Sequence, residues 1–226
     1  GLETVIREEL GGYEGDLTSA DLDSIEMLYA HGRGIESLEG IELLTSLWYL
    51  DLSDNALTDE DLEALSALPN LSSLYLANNA ITSLEPLGDL PSLRRLDVSG
   101  NAITDLTGID ALDGLEWLDL SGNPIDDYGV GETVQLPSLE QLYLVDTGLT
   151  DAGLQAVAEI MPNLQYLDIS YNEISDLSPL SGMKYLRELY APFNRIDDIG
   201  PLLEWVRNKE SHSDYGYDVS YIYLDF

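Results

Sequence analysis

The side chains able to do chemistry in this chain recur along it instead of converging on one point. Eight of its 14 tyrosines, one of its three tryptophans and a set of aspartates hold fixed places in a nine-residue frame, L-x-x-L-x-L-x-x-N, typified by LEWLDLSGN at 115–123. The third place of successive copies reads Met27, Tyr49, Ser73, Arg95, Trp117, Gln141, Tyr166, Glu188, Tyr221. The fifth reads Tyr29, Asp51, Tyr75, Asp97, Asp119, Tyr143, Asp168, Tyr190, Tyr223. The seventh is mostly small, with Ser53, Ala77, Ser99, Ser121 and Ser170, and would leave a low shelf beside the rings. Rings with a polar tip offer large contact area to a partner at small entropic cost, and interleaved carboxylates select positive charge, so the chemistry is recognition. Strand propensity and Tyr–Asp hydrogen bonding across strands give a plainly structural account of the same columns.

Catalysis finds no support. His31 and His212 lie far apart in repeat order, and no serine or carboxylate constellation has the spacing of a known mechanism. Phosphate-loop, zinc and nucleophile-elbow patterns are missing, and with no cysteine there is no thiol or disulfide chemistry. His31 reads as a solvated or cap-contacting residue beside Arg33. Asp97 and Asp119 are column neighbours about one strand spacing apart, which Ca²⁺ could bridge, but Arg95 is a simpler neutraliser. Neither metal nor cofactor is expected.

The elements that position these columns follow from the leucines. Apolar residues at the first, fourth and sixth places alternate with outward residues, the period of a short strand with one face buried. Copies start at Ile25, Leu47, Leu71, Leu93, Leu115, Leu139, Leu164 and Leu186, with a last one at Val219; all but the last step span 22 to 25 residues. That period and pattern are those of a leucine-rich repeat. The expected fold is an α/β solenoid: a horseshoe with a parallel β-sheet on the concave face and mixed 3₁₀, extended and helical convex segments. TDEDLEALSAL at 58–68 and TDAGLQAVAEI at 150–160 have helical periodicity, whereas stretches such as TSLEPLGDL are short enough for extended or 3₁₀ backbone. Asn55, Asn79, Asn101, Asn123, Asn172 and Asn194 form a structural ladder, with Arg33 and Thr147 replacing two rungs.

The organisation expected is a helical N-terminal cap at 1–24, repeats at 25–200, and a C-terminal helix, loop and closing strand at 201–226, all one structural domain. In the cap, LETVIREEL is amphipathic and stopped by Gly11-Gly12, and Thr18 with Asp21 starts a second short helix through Leu22 and Ile25. At the other end PLLEWVRNKE reads as helix, SHSDYGYD as loop and VSYIYLDF as strand. That strand exposes a sheet edge, to be covered by 205–217 with Phe226, by a further domain or by a partner.

The order LETVIREEL, GDLTSADLDSIEML, HGRGIESLEGIELLTSLWYLDLSDN resembles the cap and first repeats of bacterial internalin-like leucine-rich-repeat proteins, and LSSLYLANNAITSLEPLGDLPSL and LQYLDISYNEISDLSPLSGMKYL match their 22-residue repeat. The stretch at 201–226 does not read as the immunoglobulin-like cap usual in that family. The resemblance implies a secreted or cell-surface bacterial binding protein, and identifies no ligand.

Forty-three acidic against nine basic side chains, a net charge of −34, leave no patch to neutralise phosphates, so nucleic acid and anionic membrane surfaces are disfavoured. The acidity suits a solvated surface or a saline habitat. No apolar run approaches a membrane span, and no signal peptide precedes Leu2; a targeting segment removed ahead of Gly1 is compatible with that. The leading expectation is a non-enzymatic module that binds a protein ligand with a basic surface through Tyr29, Tyr49, Asp51, Tyr75, Arg95, Asp97, Trp117, Asp119, Tyr143, Tyr166, Asp168, Tyr190, Tyr221 and Tyr223. Carbohydrate binding and a ligand-free spacer role are the alternatives.

Overall fold

The computed structural model describes residues 1–131, 136–203, 205 and 221–225. Nine three-residue strands form one parallel sheet in chain order: β1 Met27–Tyr29, β2 Tyr49–Asp51, β3 Ser73–Tyr75, β4 Arg95–Asp97, β5 Trp117–Asp119, β6 Gln141–Tyr143, β7 Tyr166–Asp168, β8 Glu188–Tyr190 and β9 Tyr221–Tyr223. Every pairing joins equal places of the frame, from Met27 opposite Tyr49 to Tyr190 opposite Tyr223. A slip of one residue would turn the leucines out and the tyrosines in, which is why the register is so strictly kept. In the first eight copies the first, fourth and sixth places are at most 3% exposed, so they build one continuous ribbon of core.

Each strand is followed by an asparagine whose amide joins two repeats. Asn101 donates from Nδ2 to Val98 O of its own repeat at 2.9 Å and to Leu76 O of the preceding one at 3.0 Å. Its Oδ1 accepts from the preceding repeat's Asn79 N and Ile81 N. Asn55, Asn79, Asn123, Asn172 and Asn194 likewise bond carbonyls in two repeats. Thr147 stands in this line with a hydroxyl, which donates at 3.2 Å to Leu144 O or Asn172 Oδ1.

The convex side is mixed, with 3₁₀ turns at Ile41–Leu43, Glu85–Leu87, Ile109–Ala111 and Ser178–Gly182. The 150–160 stretch holds a full helix, here α5, Asp151–Ile160. The 58–68 stretch is only half as helical as its periodicity suggests: α3, Asp59–Leu62, tightens into 3₁₀ over Glu63–Ala67. A further helix, α4 at Asp126–Gly131, lies where extended or 3₁₀ backbone was expected. Its sequence, DDYGVG, has poor propensity, and packing supplies the reason for it. A Cβ on Gly129 would come within 2.2 Å of Thr104 O, so only glycine lets the helix lie this close to the preceding repeat.

At the N-terminus α1, Leu2–Glu9, buries Leu2, Val5 and Ile6 over the open end of the core. Gly11 and Gly12 end it at φ of 76° and 80°. Thr18 and Asp21 form a reciprocal capping box on α2, Ser19–Leu22, which stops before Ile25. Arg33 lacks the ladder amide and instead sends its guanidinium to Glu8, clipping α1 onto the first repeat. His31 is exposed and meets Asp54 at 3.3 Å.

Past β8, residues 200–203 and 205 are helical, with Trp205 buried and its indole N–H donating to Met183 O at 3.3 Å. The remainder of the expected helix, the SHSDYGYD loop, His212, and the covering of the sheet edge by 205–217 and Phe226 lie outside the described residues, Trp205 aside. Ile222 and Leu224 are half-buried against the core.

Candidate functional site

The frame sends its third and fifth places to the concave surface, where the aromatic residues fall into two runs. In the first, ring centroids of Tyr29 and Tyr49 lie 5.0 Å apart and those of Tyr49 and Tyr75 lie 5.3 Å apart, with Trp48 edge-on to Tyr49 at 5.9 Å. The second runs from Trp117 through Tyr143, Tyr166 and Tyr190 to Tyr223, at successive spacings of 5.3, 4.7, 5.3 and 6.2 Å. Rings alternate between third and fifth places as far as Tyr190, so each run zigzags across the strands, and Tyr223 lies directly opposite Tyr190. Tyr29, Trp48, Tyr221 and Tyr223 are exposed and the others half-buried. Burial, reinforced by Asp51 and the flanking Tyr75 and Tyr29, raises the Tyr49 phenol above its ordinary range. The same causes act on Tyr166, burial first and then Tyr143, Asp168 and Tyr190, so both stay protonated donors at any physiological pH.

Between the runs lie Arg95, Asp97 and Asp119. Arg95 is exposed and forms no ion pair with either carboxylate among the described residues, so the neutralising role expected of it is not observed. The aspartates turn instead to their own strand ends. Oδ1 of Asp51, Asp97, Asp119 and Asp168 accepts from the backbone N–H of Ser53, Ser99, Ser121 and Ser170 at 2.9 to 3.0 Å. Ser99 and Ser170 add their hydroxyls. These bonds close part of the serine shelf: Ser53 and Ser170 are buried. Across-strand Tyr–Asp bonding is therefore not what holds the carboxylates. Burial raises the Asp119 carboxyl; its bonds from Ser121 oppose this, and Asp97 and Asp168 add to it. Among the described residues no group of three or more His, Asp or Glu side chains is placed to hold a metal ion.

Two features escaped the sequence reading. One is a set of convex aspartates reaching into the next repeat. Asp59 accepts from Thr82 N at 2.8 Å and Ser83 N at 3.1 Å, Asp127 from Thr150 N at 2.7 Å and Gly153 N at 3.0 Å, and Asp151 from Ser175 N at 2.7 Å and Asp176 N at 2.8 Å. The other is the eighth place of the frame. There Gly32, Asp54, Asn78, Gly100, Gly122, Asp146, Tyr171 and Phe193 all take positive φ, between 55° and 67°. The run of Gly, Asp and Asn over six copies is the signal that marks this left-handed column and singles out its last two members.

Models of the leucine-rich repeat match residues 44–66, 69–111, 135–158 and 162–204. Internalin C2 of Listeria monocytogenes is 30% identical, and the alignment covers 91% of this chain and 79% of that one at a TM-score of 0.61. The chain belongs to the leucine-rich-repeat family. This leucine-rich-repeat chain is also similar to the internalin InlF of the same organism, at 25% identity over 91% of this chain and 72% of that one, with a TM-score of 0.63. A third relative is the 187-kDa microtubule-associated protein AIR9 of Arabidopsis thaliana, 39% identical over 83 residues. That match takes in 35% of this chain and spans only 5% of that protein's length. Leucine-rich-repeat domains are in general non-catalytic scaffolds that bind proteins.

Proposed function

We propose that this leucine-rich-repeat chain is a non-enzymatic module that takes a protein partner with a basic surface on its concave face, and that it works outside the bacterial cell or on its surface. The observation supporting the binding reading is the run from Trp117 to Tyr223, five rings in contact across five strands. Folding does not ask for aromatic residues there, since the same places carry Ser73, Arg95, Gln141 and Glu188 in other repeats. Rings in such a row supply area and hydroxyl donors, and the carboxylates beside them favour positive charge. The likeness to Listeria internalins supports the extracellular reading. Among the described residues no helix is long and apolar enough to cross a membrane.

The test is capture of partners from host-cell extracts and culture medium, run beside a glycan array. A protein partner is expected, with affinity reduced more than tenfold by Trp117→Ala or Tyr166→Ala and unchanged by the convex Glu63→Ala. Binding of glycans alone would replace the reading with a carbohydrate-binding one. Silence in both assays would leave a spacer.

A further inference from the structure

Tyr171 and Phe193 occupy the left-handed place of the frame at φ of 58° and 57°, where the other six repeats described use Gly, Asp or Asn. A bulky L side chain is disfavoured there because its Cβ crowds the following carbonyl oxygen. Core packing does not account for them. They are 54% and 53% exposed, and their rings stack on each other at 4.3 Å with 24° between planes. Adjacent, strained and exposed aromatic residues in successive repeats mark a functional place more than a structural one.

Their neighbour in the column is Asp146. It is exposed, and its carboxylate takes no hydrogen bond or ion pair among the described residues. Asp146 N donates to Ser170 O at 3.1 Å and Tyr171 N to Pro192 O at 3.0 Å, so the three residues follow one another across adjacent strands, about 4.8 Å apart. The rim of the sheet thus presents a carboxylate and beside it a stacked pair of exposed rings. A guanidinium group can donate in parallel to the first while its plane lies on the second; an ammonium can pair but cannot lie flat. Among the described residues Arg195, two places after Phe193, is held by Glu173 at 3.1 Å. With 43 acidic and nine basic side chains, the occupant comes from outside.

We propose that Asp146, Tyr171 and Phe193 form a rim site for an arginine side chain of a partner protein. It is separate from the concave aromatic run and does not rest on it.

Three short peptides, identical and otherwise neutral, carrying one arginine, lysine or citrulline, are titrated in physiological salt, which screens diffuse attraction to the acidic surface. Binding is read from the Tyr171 and Phe193 ring resonances. The arginine peptide is expected to shift them saturably and to bind at least fivefold more tightly than the other two. Tyr171→Asn with Phe193→Asn, using the residue that fills this place at Asn78, should weaken it fivefold or more without lowering Tm; Asp146→Asn should weaken it in the same direction. Trp117→Ala should leave it intact. Equal binding of the arginine and lysine peptides, or unchanged arginine binding by the double variant, would overturn the site. So would a sharp fall of Tm in the double variant, which would make the ring pair structural, or an equal loss in Trp117→Ala, which would move the peptide to the concave face.

Discussion

Aspartates on the two faces of this solenoid share a chemistry and meet opposite fates. On the convex side the Asp59 and Asp151 carboxyls are partly buried, which opposes ionisation, yet donors from the next repeat outweigh this and hold both below the ordinary carboxylate range. On the concave side Asp119 has one set of donors, from Ser121, and is crowded by Asp97 and Asp168, so its carboxyl is raised. The convex carboxylates complete the fold. Asp119 is held against its electrostatic preference, one of four aspartates in a column that other repeats fill with tyrosine. Acidity as a bulk property hides this difference; only the donors around each group reveal it.

The largest effect expected from this contrast is at Asp127, whose carboxylate serves Thr150 and Gly153 at the start of α5. Asp127→Ala should lower stability by about 2 kcal/mol in urea unfolding, because partly buried donors lose a charged acceptor. A loss below about 0.5 kcal/mol would show that water replaces the carboxylate and that the convex set is ornamental. Asp119→Asn is the matched concave change. It keeps an acceptor for Ser121 N–H and removes a charge, so stability at neutral pH should hold or rise by less than about 1 kcal/mol. A clear fall would place Asp119 with the structural set.

Acid titration sharpens the comparison further, since the two sets carry opposite signs. The lowered folded values of Asp59 and Asp151 give stability that is present above the range of unfolded carboxylates, about pH 4, and lost as pH falls through the lowered values. The raised value of Asp119 gives stability that is gained as pH falls through it. Tm should therefore hold level or climb slightly on mild acidification and drop below about pH 4, and Asp119→Asn should remove the climb. The smallest effect is that of salt. Moderate NaCl should raise Tm modestly by screening a net charge of −34, with most of the change below physiological ionic strength; a flat response would mean that local donors already compensate the carboxylates.

Much of this was legible in the residues, and the reason is periodicity. The leucine places determined all eight strand registers and the concave columns, because a buried ribbon tolerates no slip. The asparagine ladder was legible for the same reason. What escaped was set by single close approaches that leave no period. The α4 helix depends on Gly129 against Thr104 O, which reads as a breaker in sequence. The serine shelf looked open because the turn of Asp51 or Asp168 onto the serine two residues later is a rotamer choice. Tyr171 and Phe193 were passed over because their place prefers residues unlike them.

The threonine rung has a mechanical meaning. Every other joint from β1 to β8 carries an asparagine Nδ2 bonded to a carbonyl of the preceding repeat. Among the described residues the Thr147 hydroxyl reaches no such carbonyl, and the joint between β5 and β6 is tied instead by the Asp127 clasp, by Val145 N–H donating to Ser121 Oγ at 3.2 Å and by the packing of α4 on α5. A chain of repeats that touch only their neighbours carries tension in series, so each joint needs ties of its own. Pulled from its ends, this molecule bears the load at its middle through a carboxylate where the other joints use an amide.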